Sequence, residues 1–146
     1  MIKMAIGSLS QRTSQTVAAN PAWEIIATSA QMRPTILELG ITQVTAVAST
    51  LGLGRPQAKG ITPTTPQTFL AEDAGEVALN TTAAVAWGTG PTIPLNFFRR
   101  ITCPATIGAG VIWTFPRGLI IASNFSIILW ILATAPVLDV YAVVNE

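Results

Sequence analysis

The chain has 146 residues; half of them are apolar, a tenth are charged, and the net charge is +1. This length corresponds to one domain with a core of its own, and the near-neutral charge excludes electrostatic capture of nucleic acid. Soluble domains are typically about a quarter charged. A surface this poor in charge predicts extensive burial against partner proteins, and a surface covered by Thr, Ser, Gln and Asn is the alternative.

The first twenty residues predict an arm or a first strand. Residues 2–9 hold enough apolar side chains for a short strand, and residues 11–20 are polar, as expected of a loop or a solvent-facing edge strand. We expect residues 1–20 to precede a single β-sandwich domain over residues 21–146. The apolar part of the start is too short for a secretory signal.

Two segments alternate with the period of a half-buried strand. In residues 22–28, the pattern predicts Glu24 on the face opposite Trp23 and Ile25. In residues 35–41, it predicts one face that holds Thr35, Leu37, Leu39 and Ile41, and another that holds Ile36, Glu38 and Gly40.

Glycine and proline are dense in residues 51–56, LGLGRP, which predicts a turn or a loop close to another backbone. A phosphate-binding loop does not fit, because Lys59 precedes Gly60 and the Walker pattern needs the reverse order. A long loop is then predicted over residues 57–80. Its TPTTP stretch excludes a central strand, and it carries three carboxylates, Glu72, Asp73 and Glu76.

Four apolar runs rich in Ile, Val, Phe and Trp predict four strands, over residues 97–103, 110–115, 125–132 and 137–144. The uncharged span between Arg117 and Asp139 is long enough for a membrane helix, but Ser123, Asn124 and Pro136 divide it into pieces that are too short. Over the whole chain the pattern predicts about eight short strands, and no segment shows the 3.6-residue period of a helix. We predict an all-β fold, an antiparallel β-sandwich with a jelly roll as the leading topology.

No residue pattern predicts catalysis, a cofactor or a metal site. Histidine is absent, so a nucleophile would need a carboxylate or a lysine as its base. A weak calcium site at Glu72, Asp73 and Glu76 is an alternative, although the alternating ligands of an EF-hand loop are missing. We expect a non-enzymatic protein without cofactor or metal, in which Cys103 is a buried, inert thiol.

Trp87, Trp113 and Trp130 lie in strand-like segments among Val, Ile and Phe. This setting favours core packing, and a carbohydrate-binding platform is the alternative. We predict that five residues of the apolar runs are largely buried: Trp113, Ile128, Trp130, Val140 and Ala142.

The FFRR segment, residues 97–100, is the best candidate for an interaction site. Strict alternation would place Phe97, Arg99 and Ile101 on one face of a strand and Phe98 and Arg100 on the other. Arginine beside apolar positions is typical of an interface or of a buried acid, and a solvated edge is the alternative. The predicted interface residues are Arg12, Arg33, Arg55, Phe97, Arg99 and Arg100.

From about Glu38 onward, the order of features resembles the capsid decoration, or cement, proteins of tailed bacteriophages that have a β-sandwich fold. The resemblance rests on ELGIT, LGLGRP, AVAWGTGPTIP, FFRR, GVIWTFPRGLII, SIILW and VYAVVNE. It implies a virion protein that binds the major capsid protein on the outside of the shell and reinforces it, commonly as a homotrimer.

We therefore expect a structural protein at the capsid surface that binds itself and the shell, and neither nucleic acid nor membrane. Two alternatives remain. One is a carbohydrate-binding β-sandwich module, and the other is a different phage part, such as a tail, neck or fibre component. We also expect the first twenty residues and residues 57–80 to mediate binding to the shell, with little dependence on salt.

Overall fold

The computed structural model describes residues 4–14 and 17–146, so residues 1–3 and 15–16 of the predicted N-terminal segment lie outside the described residues. Every regular element in the described part is a β-strand. Eight long strands build the molecule: β1 (Ile6–Arg12), β2 (Asn20–Ile26), β3 (Thr35–Gln43), β4 (Ser49–Pro56), β10 (Pro94–Cys103), β11 (Gly110–Ile120), β12 (Ser126–Ala133) and β13 (Leu138–Asn145). Among the described residues, no helix is long and apolar enough to span a membrane.

Five short strands lie between β4 and β10, and three of them lie within residues 57–80, where a long loop was predicted. They are β5 (Ile61–Pro63), β6 (Gln67–Thr68), β7 (Leu70–Ala71), β8 (Thr82–Ala84) and β9 (Trp87–Thr89). We call residues 57–93 the excursion, because the chain leaves the sandwich after β4 and returns to it at β10.

The strand order is that of a jelly roll. Sheet I has the order β11-β3-β13-β1-β7, and sheet II has the order β10-β4-β12-β2-β8-β6. Along the chain the eight long strands alternate between the two sheets, except that β4 and β10, which flank the five short strands, both lie in sheet II. The first long strand pairs with the last. All pairings are antiparallel, so the predicted antiparallel sandwich with jelly-roll topology is confirmed.

The core lies between the two sheets and consists of the inward-facing aliphatic and aromatic side chains of both. Its largest fully buried members include Trp23, Leu39, Leu53 and Leu129. The five residues predicted to be buried are all buried, as is Cys103, whose burial raises the pKa of the thiol.

The first strand lies inside sheet I. β1 pairs with β13 from Ile6 opposite Asn145 to Arg12 opposite Asp139. The structure therefore has a strand, and not an arm, over the described residues 6–12, because β13 and β7 satisfy its backbone on both sides.

The predicted turn at LGLGRP is wrong. These residues form most of β4, an interior strand of sheet II between β10 and β12. Leu51 and Leu53 face the core, and the intervening glycines face outward. A Cβ at Gly52 would lie 2.5 Å from Cδ1 of Phe97. Gly52 is thus explained by the ring of Phe97 packed against the strand, and Gly54 by the close approach of Pro94 and Asn96, and not by a turn.

The predicted faces of residues 35–41 are also partly wrong. Val143 pairs with Glu38 and Val144 pairs with Ile36, so Leu37 is the extra residue of a β-bulge. The bulge turns Ile36 into the core together with Leu39 and Ile41, and leaves Leu37 half-buried.

The excursion covers the outer face of sheet II. β5 and β9 pair with each other as a two-stranded ribbon, which we call the flap. The other short strands extend the sheets: β8 and β6 extend sheet II beyond β2, and β7 extends sheet I beyond β1. As a result, β2 is buried on both faces although its sequence alternates.

Candidate interaction surface

The strongest candidate site lies on one flank of the sandwich, where the edge strand of each sheet is exposed. β10 is the edge of sheet II and β11 is the edge of sheet I. Nη2 of Arg55 donates a hydrogen bond of 3.2 Å to the carbonyl oxygen of Ile120, so β4, β10 and β11 meet on this side. We call this surface, which carries Arg55, Arg99 and Arg100, the basic flank.

Each arginine of the basic flank lies over a phenylalanine ring. The guanidinium carbon of Arg55 is 4.7 Å from the ring centre of Phe98, and that of Arg99 is 5.4 Å from Phe115. Arg100 is 5.8 Å from the ring centre of Phe97. Cation–π contact holds the guanidinium groups in place. Arg55 and Arg99 each donate one N–H to a backbone carbonyl, of Ile120 and Phe98, and their other N–H groups can donate to a partner.

The strict alternation predicted for FFRR is wrong. Phe97 pairs with Gly54 and Arg99 pairs with Leu53, so Phe98 is the extra residue of a β-bulge in β10. Because Leu53 faces the core, Arg99 lies on the inner face at the opening between the sheets. Phe97 instead covers Gly52 on the outer face, next to Arg100. The bulge thereby spreads the arginines over both faces of the flank.

A shallow groove of about 340 Å³ lies at the end of the basic flank. Arg55, Phe97 and Phe98 line it together with Leu95, whose side chain is 78% exposed. Ile112 and Ile120 of β11 are also exposed. Arginine beside exposed aliphatic and aromatic side chains is the composition of protein-binding surfaces.

Two of the six predicted interface residues lie elsewhere. Arg12 is on the outer face of sheet I, where Nε donates to Oδ1 of Asp139 at 2.8 Å. This hydrogen bond lowers the pKa of Asp139 and raises that of Arg12. Arg33 is exposed in the loop between β2 and β3. The structure therefore brings together Arg55, Phe97, Arg99 and Arg100, and separates Arg12 and Arg33 from them.

A second site, which the sequence did not predict, fastens the flap. Glu24 of β2 is fully buried on the outer face of sheet II. Its carboxylate accepts hydrogen bonds from Gly60 N at 2.9 Å, from Trp87 Nε1 at 2.9 Å and from Ser126 Oγ at 2.7 Å. A glutamate at an alternating position of a strand usually predicts a solvent-exposed face, so only knowledge of the flap would have revealed its burial.

A third carboxylate site joins the excursion to the end of β13. Glu146 accepts hydrogen bonds from the backbone and side chains of Asn80 and Thr81, between 2.5 and 3.1 Å. Burial acts to raise the pKa of Glu146, but these hydrogen bonds together outweigh it and hold that pKa below its usual range.

The tryptophans do not form an exposed platform. Trp23, Trp113 and Trp130 are buried, and the half-buried Trp87 donates its indole N–H to Glu24. Within residues 4–14 and 17–146, no group of three or more His, Cys, Asp or Glu side chains is placed to hold a metal ion.

Comparisons with models of protein families, with curated proteins and with solved structures found no match to this chain.

Proposed function

We propose that the chain is a non-enzymatic virion structural protein that binds the outside of a phage capsid as a homo-oligomer and stabilises the shell. Its partner is the major capsid protein, and its location is the capsid surface. The resemblance to decoration proteins motivates the proposal. The jelly roll supports it, because this architecture is common in viral structural proteins, although lectins share it.

The observation that carries the proposal is the flap. Residues 61–66 carry no charge and include Pro63 and Pro66. The flap is fastened to sheet II through Glu24, Gly60 and Trp87. A segment fixed in this way loses little conformational entropy when a partner binds, which suits a protein that must hold a shell without strong charge pairs.

The flap also presents apolar surface. The side chain of Ile61 is 62% exposed, and a groove of about 480 Å³ lies between the flap and the edge of sheet II. Ile26, Pro63 and Pro66 line much of it, with Lys59 at its margin. An aliphatic or aromatic side chain of the shell would fill this groove.

Sedimentation with capsids tests the proposal. Shells assembled from the major capsid protein of the same virus are mixed with the purified chain, and the bound fraction is measured at low and high salt. We expect saturable binding that changes little with salt, since few charge pairs at the flap are available for screening. The absence of binding at saturating concentrations would contradict the proposal.

A matched pair of variants locates the contact. Ile61→Ser alters the flap, and Ile107→Ser alters an isoleucine of similar exposure in the loop between β10 and β11. We expect Ile61→Ser to weaken shell binding by roughly ten-fold, the effect of about 1.4 kcal/mol, and Ile107→Ser to leave it unchanged. Equal effects of the two variants would remove the flap from the contact.

A further inference from the structure

The charges of this chain are divided between opposite flanks of the sandwich. Three of its seven carboxylate side chains lie in residues 72–76, directly after β7. Because β7 is the edge of sheet I opposite β11, we call residues 70–73 the acidic edge.

The basic flank has no carboxylate of its own. Among the described residues, no Asp or Glu lies within ion-pair distance of Arg55, Arg99 or Arg100, and the pair between Arg12 and Asp139 is the one found. The acidic edge is four strands away in sheet I, about 20 Å at the usual strand spacing. Glu72 and Asp73 therefore cannot neutralise these arginines within one copy.

The two surfaces lie at the same level along the strands. Ile120 pairs with Thr35, Thr35 with Asn145, and Asn145 with Ile6. At one end of this row Arg55 donates to the carbonyl oxygen of Ile120, and at the other Glu72 N donates to that of Ile6 at 2.9 Å. A neighbouring copy placed side by side would thus bring its Glu72 to Arg55.

Exposed leucines accompany the charges on both surfaces. Leu95 lines the groove beside Arg55, and Leu70, which is 71% exposed, precedes Glu72 by two residues. β10 is ten residues long, which is about 33 Å, and a two-sheet sandwich is roughly 20 Å across with its side chains. Contact over the full length and width of such a flank would bury about 1,300 Å² in total, and a specific interface needs roughly 1,000 Å² or more.

We infer that the basic flank of one copy binds the acidic edge of a second copy, head to tail. This inference rests on the proposed function, in which the chain acts as a homo-oligomer. It names the two surfaces that form the contact between copies. An interface between two different surfaces forms a closed ring if the rotation closes, and a filament if it does not.

Charge reversal tests this inference. Arg55→Glu/Arg99→Glu alters the basic flank, and Glu72→Lys/Asp73→Lys alters the acidic edge. Sedimentation velocity should show an oligomer for the unaltered chain and a dissociation constant at least roughly ten-fold higher for each variant alone. An equimolar mixture of the two variants should associate again, because it provides an unaltered pair of surfaces and a reversed, complementary pair.

Two controls complete the test. Arg33→Glu/Lys59→Glu changes the net charge by the same amount as the basic-flank variant, but outside both surfaces, and should leave the oligomer intact. Circular dichroism confirms that each variant folds, and reassociation of the mixture does so independently. A monomeric unaltered chain, variants that associate normally, or a mixture that stays dissociated would overturn the inference.

The shell assay separates this inference from the proposed function. A chain that is monomeric and still saturates capsids would overturn the head-to-tail contact and leave capsid binding in place. A chain that forms the charge-dependent oligomer and ignores capsids would support the contact and overturn the proposed function.

Discussion

Glu24 and Trp87 are joined by a hydrogen bond of 2.9 Å from the indole Nε1 to the carboxylate Oε1, on the outer face of sheet II. The two residues are far apart in the sequence, one in β2 and the other in the flap. Glu24 also accepts a hydrogen bond from the backbone N–H of Gly60, which directly precedes β5, the other strand of the flap. This one carboxylate therefore holds both strands of the flap.

Glu24→Ala should therefore destabilise the fold and release the flap. Gly60 N–H, Trp87 Nε1–H and Ser126 O–H would all lose their acceptor, and unsatisfied buried donors cost about 1–3 kcal/mol each. We expect a loss of about 3 kcal/mol in the free energy of unfolding, measured by urea denaturation. Arg117→Ala, at an exposed position in β11, should change it by less than about 0.5 kcal/mol.

Capsid binding should decrease when the flap is released from sheet II. If Glu24→Ala remains folded at low temperature, its shell occupancy should decrease as much as that of Ile61→Ser. Full occupancy with a released flap would show that the flap does not contact the shell.

Gly52→Ala should disturb the basic flank through Phe97. A Cβ at this position would lie 2.5 Å from Cδ1 and 2.8 Å from Cε1 of the ring, so the ring must move. Overpacking of this kind costs about 1–3 kcal/mol. The cost should shrink when Phe97→Ala is introduced as well, which a double-mutant cycle measures.

Gly75→Ala is the matched control for this prediction, since its Cβ would have no neighbour nearer than 3.5 Å. An equal loss of stability at Gly52 and Gly75 would show that the contact with Phe97 is not the cause.

Trp113→Ala tests the core. Trp113 is buried in β11 and pairs with Leu39 of β3. Removal of a buried tryptophan side chain costs about 3–5 kcal/mol. Thermal or urea unfolding should show this loss, and a change of less than about 1 kcal/mol would mean that the indole is not part of the core.

Glu146 should make the free energy of unfolding depend on pH. Its pKa in the folded chain is lowered, so its contribution is complete above the ordinary glutamate value of about 4.3 and is lost as the pH falls through the folded value. The difference in unfolding free energy between the unaltered chain and Glu146→Gln should be largest near neutral pH and shrink towards about pH 3. A difference that does not vary with pH would contradict the role of the carboxylate.

Composition and short apolar runs were sufficient to predict the fold class. β12 and β13 were predicted within two residues because Ile, Val and Trp are dense there and Pro136 separates them. The jelly-roll topology was predicted from the same information, because about eight antiparallel strands have few ways to close two sheets.

The errors have a common physical origin, which is that side-chain alternation holds only for a regular strand covered on one face. Bulges at Leu37 and Phe98 shift the alternation by one residue. The ring of Phe97 packs against Gly52, so a glycine that suggests a turn in the sequence lies within a regular strand. The flap buries Glu24 from a region distant in sequence, and no local pattern records such a contact.

The sequence predicted only those members of the interaction surface that are neighbours in the chain. Arg99 and Arg100 are adjacent to the two phenylalanines in sequence and were identified together. Arg55 joins them only through the pairing of β4 with β10, and Arg12 leaves the set because β13 brings Asp139 beside it.

We propose that the chain occupies the outer surface of a capsid. The most direct measurement is a cryo-electron microscopy reconstruction of shells prepared with and without the chain. We predict additional density at symmetry-related positions on the outside of the shell, large enough for the jelly roll and with the flap facing the capsid protein. A shell without added density, or density confined to the tail or neck, would contradict the claim.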